Sequence, residues 1–344
     1  MRAAIAAVLL LASAAVAAAQ QSVEPRVSAE AVASAAMLSS NQNVSAVGDV
    51  TATVRIGGGA TVILRPWIWH RPDGSWTAQW YQLHVRYEPR TRTPVRIDAG
   101  VITEPIGLNP LQFRADLNPT ISPVPYYVIP LPPFEPRFES LQPLTAGYPL
   151  GVVVSTSGTR WDLRGGVLDT TPARPGVELK ATPYSRMPQA VAGGGVTLRP
   201  GLRVGGAIAR GGYREASATV PAGDATVANL EAEFTVDHTR LSGEWVLDRF
   251  HGSTGTASAR SFYVQAVQSL TPRIFAAGRV AHTLTPPVIG ARVRRQWNSA
   301  EITGGLRVTP HVTVRAGYYF QQPYVGDWSH AAEVSLVLDG RWWR

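Results

Sequence analysis

The ionisable side chains define what chemistry this chain can do. Lysine and arginine together number 32, and Lys180 is the one lysine, so the cations are guanidiniums. A guanidinium stays charged at every physiological pH and grips carboxylate or phosphate in a planar fork. Against them stand 24 acids and seven histidines, for a net charge of +8 at pH 7. There is no cysteine, which excludes disulfides, thiolate metal sites and thiol nucleophiles. None of His70, His84, His238, His251, His282, His311 and His330 falls in a metal-ligand spacing. No G-x-S-x-G occurs, and HGSTG at 251–255 reads as a turn. Neither a Walker-A nor a kinase motif surrounds Lys180. No metal, cofactor or catalytic step is expected. The chemistry left is that of fixed charges acting on a solute or on one another.

Where those charges sit follows from a second pattern. Residues 228–237 read ANLEAEFTVD, with Ala228, Leu230, Ala232, Phe234 and Val236 apolar and polar residues between them. A helix scatters such a pattern around its circumference, whereas a strand puts all five on one face. The same alternation runs through 160–167, 300–308 and 311–321. SLTPRIFAAGRVAH (269–282) and RVTPHVTVRAGYYF (307–320) repeat a strand, Thr-Pro, strand unit, and VTLRPGLRVGGAIARG (196–211) is a looser copy. Proline cannot donate within a ladder, so each marks a tight hairpin turn.

Sixteen segments read as strands: 27–37, 46–56, 60–69, 76–87, 94–103, 150–156, 160–170 and 191–199, then 202–213, 225–237, 240–250, 259–270, 273–284, 299–308, 311–321 and 329–343. Alternation weakens in 61–69 and 76–82, which points to bulges there. Short turns at 57–59, 88–93, 157–159, 200–201, 238–239, 271–272 and 309–310 alternate with mostly longer connections. The longest, 104–149, is proline-rich and follows strand five. Tight turns at one end, long loops at the other and an even strand count are the layout of a transmembrane barrel. The expected fold is therefore all-β: an antiparallel transmembrane β-barrel of about 16 strands. Residues 1–19 read as a secretory signal peptide with an Ala17-Ala18-Ala19 cleavage site, 20–26 as a short leader segment, and 27–344 as the barrel. Export argues against nucleic-acid binding despite the charge.

In hydrocarbon every backbone polar group needs an internal partner, so a spanning sheet must close. The apolar set would then face lipid. The polar set, which carries many ionised groups, would face a water-filled lumen, because such groups are ruinous in a dry core. Inward arginines on the first half are Arg55, Arg65, Arg86, Arg96, Arg160 and Arg164; later strands add Arg203, Arg279, Arg307 and Arg315. Inward acids come mostly later, at Glu231, Glu233, Glu244, Asp248, Glu301 and Glu333, with Asp98 and Asp162 as exceptions. Such walls would set a field across a channel, and fixed charge and diameter commonly set selectivity. Trp67, Trp69, Trp161, Tyr318, Phe320, Trp328 and Trp342 are candidates for interfacial girdles.

In this layout the chain resembles the Gram-negative outer-membrane porins. The resemblance covers the leader, the alternating strands, the unequal connections and a last strand rich in aromatics, although Arg344 follows Trp342 and Trp343. It implies a trimer or monomer in the outer membrane of a bacterial cell, passive diffusion of small hydrophilic solutes or anions, and a constriction loop inside the lumen after strand five. It also implies an arginine wall facing loop acids. By position, Arg55, Arg65, Arg86 and Arg96 match the wall, and Glu104, Asp116, Glu135 and Glu139 are the loop acids. Three alternatives stand beside it: a plugged structural or adhesive barrel without transport, an outer-membrane barrel enzyme, and a soluble periplasmic β-protein.

Overall fold

Every alternating segment forms a strand. The computed structural model describes residues 27–39, 44–71, 74–89, 94–108, 114–135, 141–144, 148–169, 188–214, 221–252, 255–290 and 293–343. The leader expected over 1–26 lies outside them. The first eight strands are β1 (Val27–Leu38), β2 (Val44–Gly57), β3 (Ala60–His70), β4 (Trp76–Tyr87), β5 (Val95–Val101), β6 (Leu150–Ser157), β7 (Trp161–Leu168) and β8 (Gln189–Arg199). The rest are β9 (Leu202–Arg214), β10 (Gly223–Val236), β11 (Thr239–Gly252), β12 (Gly255–Ser269), β13 (Ile274–Leu284), β14 (Gln296–Thr309), β15 (Val312–Gln322) and β16 (Ser329–Trp343). Each pairs antiparallel with its sequence neighbours, and β1 pairs with β16 from Ser28↔Trp343 to Leu38↔Glu333. The result is a closed barrel of sixteen strands.

The faces follow the alternation. On β10, Leu230 is 63% exposed on the outer surface, while Glu231 and Asn229 are 4% and 2% exposed on the inner one. Trp161, Leu163, Val167, Ile302 and Leu306 are likewise exposed outward. With no edge strand left, the wall satisfies its own backbone and presents hydrocarbon on the outside.

The turns show why their residues recur. Thr271 Oγ1 accepts the backbone N–H of Ile274 at 2.9 Å, and Thr309 Oγ1 accepts that of His311 at 3.1 Å. The Thr-Pro repeat is thus a hydroxyl that caps the turn beside a ring that cannot join the ladder. Between β8 and β9, Gly201 has φ +82°, and a Cβ there would lie 2.1 Å from the Thr235 carbonyl oxygen. The weak alternation near residue 80 is a register shift: Arg65 pairs with Gln82 but Pro66 with Trp80. Tyr81 is the extra residue, set opposite a proline that has no N–H to offer.

One sequence expectation is corrected here. Trp67 and Trp69 do not belong to a lipid-facing girdle. Trp67 pairs with Asp49, an inward residue, and stacks on Tyr81 with centroids 4.8 Å apart. The bulge lies on β4, so β3 keeps its period and turns both tryptophans inward. Outward aromatics near the long-connection rim are instead Trp76, Trp80, Phe320 and Trp328. Trp161 lies outward at the opposite rim.

Candidate functional site

The segment between β5 and β6 does not cap the barrel from outside. Its described residues run through the interior and are bonded to the inner wall at several points. Arg164 donates to the Pro105 carbonyl at 2.7 Å. Glu244 on β11 accepts the hydroxyls of Tyr127 and Tyr126 at 2.6 and 3.1 Å. Glu301 on β14 accepts the N–H groups of Ile121 and Ser122 at 2.6 and 3.2 Å. Glu333 on β16 accepts the Ser122 hydroxyl at 2.8 Å. Arg279 donates to the Ser122 and Pro123 carbonyls at 2.7 and 3.1 Å. Arg315 donates to those of Asn118 and Thr120 at 2.6 and 2.8 Å.

These bonds solve a specific problem. The proline-rich segment forms no regular ladder; short turns satisfy some of its backbone groups, as Tyr127 N–H does on the Val124 carbonyl at 3.1 Å, and others, among them the N–H groups of Ile121 and Ser122, need partners from elsewhere. The charged inner wall supplies them, and charge-assisted hydrogen bonds are the stronger kind. Apolar packing adds to this. Ile106, Val124, Leu141 and Leu144 of the segment are fully buried, in one cluster with inward Val227, Val246 and Phe250 of the wall. The interior expected to be water-filled is therefore partly dry: the β7–β13 side of the wall carries an apolar core beneath the loop.

The loop acids are placed differently from the wall-and-acid arrangement. Asp116 pairs with Arg114 of its own segment at 2.7 Å, and Arg114 reaches Glu30 on β1 at 2.9 Å. The Asp116 bond, then the Glu30 bond, holds the Arg114 guanidinium well above its ordinary range. Glu135 pairs with Arg214 on β9 at 2.5 Å and accepts the Tyr213 hydroxyl at 3.0 Å. Glu104 is buried and accepts from Gln189 at 2.9 Å. Burial pushes its carboxyl up to about 8, against the lowering effect of the Gln189 bond. Glu139 lies outside the described residues. None of the described loop acids pairs with Arg55, Arg65, Arg86 or Arg96.

Those arginines are held by acids of their own wall. Arg65 forks Asp49, with Nη2 to Oδ2 at 2.6 Å and Nε to Oδ1 at 2.9 Å, and lies 5.3 Å over the Tyr81 ring. Asp98 is shared by Arg86 at 2.8 Å, Arg96 at 3.1 Å and His84 at 3.4 Å. Arg203 bridges Asp162 and Glu231, each at 2.8 Å, and Arg164 lies 3.7 Å from the same two acids. Arg55 faces inward and has no ion partner among the described residues. Arg160 sits in the turn before β7 rather than on the inner wall. Of the remaining acids, Glu233 faces the lumen opposite Ser242. Asp248 is fully buried, with no hydrogen-bond partner for either oxygen.

The interior is open between residues 115–119 of the loop and the short-turn ends of the β10–β16 wall, where Arg240, Arg307 and Arg315 stand with Asp116 and Asp339; a separate gap lies between the β4–β7 wall and the start of the loop. Arg86, Arg96, Asp98, Ser155 and Arg164 line it, with Glu104 at its back. Toward the short-turn rim it continues past Glu88, Asp162 and Arg203. Residues that sequence reasoning missed are the loop's anchors: Tyr126, Tyr127, Gln189, Tyr213 and Arg214. The one signal for them was the pair of tyrosines set within a run of prolines.

No family model matches the chain, and no curated protein matches it in sequence. Solved structures do match in shape. OmpF of Salmonella typhi, in complex with daunomycin, aligns over 91% of this chain and 97% of its own, with TM-score 0.61 and 11% identity. The anion-selective porin of Comamonas acidovorans aligns over 93% and 99%, with TM-score 0.58 and 10% identity. OmpT of Vibrio cholerae in its trimer form, an outer membrane protein, aligns over 92% and 98%, with TM-score 0.53 and 7% identity. At such identities it is the fold that is shared. The chain folds as a closed sixteen-stranded antiparallel β-barrel, the fold it has in common with these solved structures.

Proposed function

We propose that the protein is an outer-membrane porin, a passive channel through which small hydrophilic solutes diffuse down their gradients, with a preference for anions. The observation that carries this is the division of faces: exposed apolar side chains outside, and inside a charged gap left open beside the loop. The anion preference follows from the charges on that gap. Arg86, Arg96 and Arg164 stand against Asp98, while Glu104 at the back is held protonated near neutral pH by burial. The porin-like neighbours support an outer-membrane location, and the trimeric neighbour supports assembly as a trimer, with a monomer as the other arrangement. This reading involves no chemical step.

Conductance in planar bilayers tests it. Discrete open-channel steps are expected, with a reversal potential across a KCl gradient on the chloride side. The amount of loop packed inside favours one competing reading, a plugged structural barrel. Absence of any conductance from folded protein would establish that reading and overturn the porin assignment.

A further inference from the structure

The lipid-facing side of the strands is nearly free of ionised groups, and the exceptions lie together. Arg210, Thr226, Arg249 and Ser258 are successive register partners across β9, β10, β11 and β12. All four point outward, since Leu230, two rows along, does. One row nearer the long connections, Asp224 pairs with His251. One row further in, Arg260 pairs with the outward Leu247 and Leu284. Among the described strand residues, the other outward charged side chain is Arg199. It lies 5.5 Å over the Phe234 ring at the opposite rim.

The cluster has a net positive charge with free valence. Asp224 holds Arg210 at 2.5 Å. Arg249 and Arg260 are exposed and have no acid partner among the described residues. They are diagonal neighbours, so their backbones lie roughly 7–8 Å apart, and two long side chains can converge on one group. Three guanidiniums against one carboxylate leave two uncompensated charges. Just inward along the same strands lie exposed Trp245, Phe262, Leu230 and Val264. An arginine facing hydrocarbon costs about 2–4 kcal/mol at mid-bilayer and little near the interface. These three lie within five residues of the strand ends at the long-connection rim, away from the strand centres.

We propose that the outer face of β9–β12 is a binding site for an anionic, phosphate-bearing lipid headgroup, with Arg249 and Arg260 gripping the phosphate and the aromatic row beneath packing on the acyl chains. The proposal rests on the membrane reading above. A second copy of the chain is disfavoured as the occupant. Among the described strand residues, no outward acid other than Asp224 exists to complement the cluster, and the cluster against itself sets like charges together. A zwitterionic lipid brings a cation with its phosphate, so it leaves the two positive charges uncompensated.

The test is retention of lipid by the whole protein and by the double variant Arg249→Gln/Arg260→Gln, read by native mass spectrometry after reconstitution. Vesicles contain phosphatidylcholine with either phosphatidylglycerol or a bis-phosphorylated glycolipid. At about 1 kcal/mol per arginine near an anionic surface, the double variant should lose about 30-fold in retention of the anionic lipids. Phosphatidylcholine should be retained equally by both, and excess inorganic phosphate should not displace the bound lipid. Equal retention of the anionic lipids by the two proteins overturns the proposal. So does a change of oligomeric state in the variant, which would make the face a contact between copies. Channel conductance is measured on the same samples. It should be unchanged, because these arginines point away from the lumen, so failure of the lipid site and failure of the porin reading give different results.

Discussion

Glu301 accepts the backbone N–H of Ile121, 180 positions away in sequence, at 2.6 Å, while its other oxygen holds Arg279 of the adjacent strand at 2.7 Å. One buried carboxylate thus ties the loop to the wall and neutralises a buried guanidinium. Removing it as Glu301→Ala leaves Arg279 without its acid and Ile121 without its acceptor. Breaking a buried pair from one side costs about 3–5 kcal/mol. Urea unfolding in detergent should show that loss. Single-channel traces should become larger and noisier as the loop loosens. Glu301→Gln keeps an acceptor for Ile121 and should fall between wild type and Ala.

Selectivity should track the arginines on the open gap and not those beside buried acids elsewhere. Arg86→Gln, Arg96→Gln and Arg164→Gln each remove one positive charge from its lining. A unit charge at 4 Å in water is worth about 1 kcal/mol, so the anion preference should fall by up to about fivefold per substitution at low salt, and less as salt screens it. Reversal potentials across a KCl gradient read this directly. Arg279→Gln, under the loop, should disturb stability more than selectivity.

The Glu104 carboxyl, raised by burial from 4.5 to about 8, links loop packing to pH. The unfolded chain releases this proton near 4.5 and the folded chain holds it until about 8. The contribution is therefore fully present below 4.5 and is lost as pH rises toward 8. Denaturant midpoints between pH 4 and pH 9 should show that decline. Glu104→Gln, which keeps a neutral polar group against Gln189, should remove this component. An unchanged pH profile in the variant would discard the assignment.

The two faces of the wall should respond oppositely to charge. Ile302, mid-strand on β14, is 63% exposed on the lipid side. Ile302→Arg should destabilise the folded barrel by about 2–4 kcal/mol in bilayers. Ser155→Glu, on the open gap beside Arg96 and Arg164, should cost little and should reduce the anion preference. Folding titrations in lipid vesicles compare the two.

The wall was readable in the sequence because its rule is local: period two gives the face of Leu230 and Glu231 from their neighbours alone. The long segment 102–149 has no period. Its anchors pair across the molecule, as Tyr127 does with Glu244, 117 positions on, and no spacing announces that. Asp116 illustrates the other limit. Its partner Arg114 stands two residues away, yet expecting it opposite the early arginines hid the short-range pair. Trp67 was misplaced because β3 is apolar on both faces, with Ile63, Trp67 and Trp69 on one and Val62, Leu64 and Ile68 on the other, so its alternation gives little contrast to read. Asp49 and Asp98, which hold the early arginines, lie on the same wall, and only the closed register shows which guanidinium each receives.

The seam between β1 and β16 sets the order of events in making this protein. The first strand has one of its two ladders only when the last has been synthesised. Until then both margins expose unpaired amides and carbonyls, and the oily outer surface has no lipid around it. The barrel cannot therefore be completed piecemeal during synthesis, and the unfinished chain must be kept from self-association until residues near 343 arrive. A stop codon shortly before residue 329 would remove the zipper itself, so the cell would lose the whole barrel rather than a sixteenth of it.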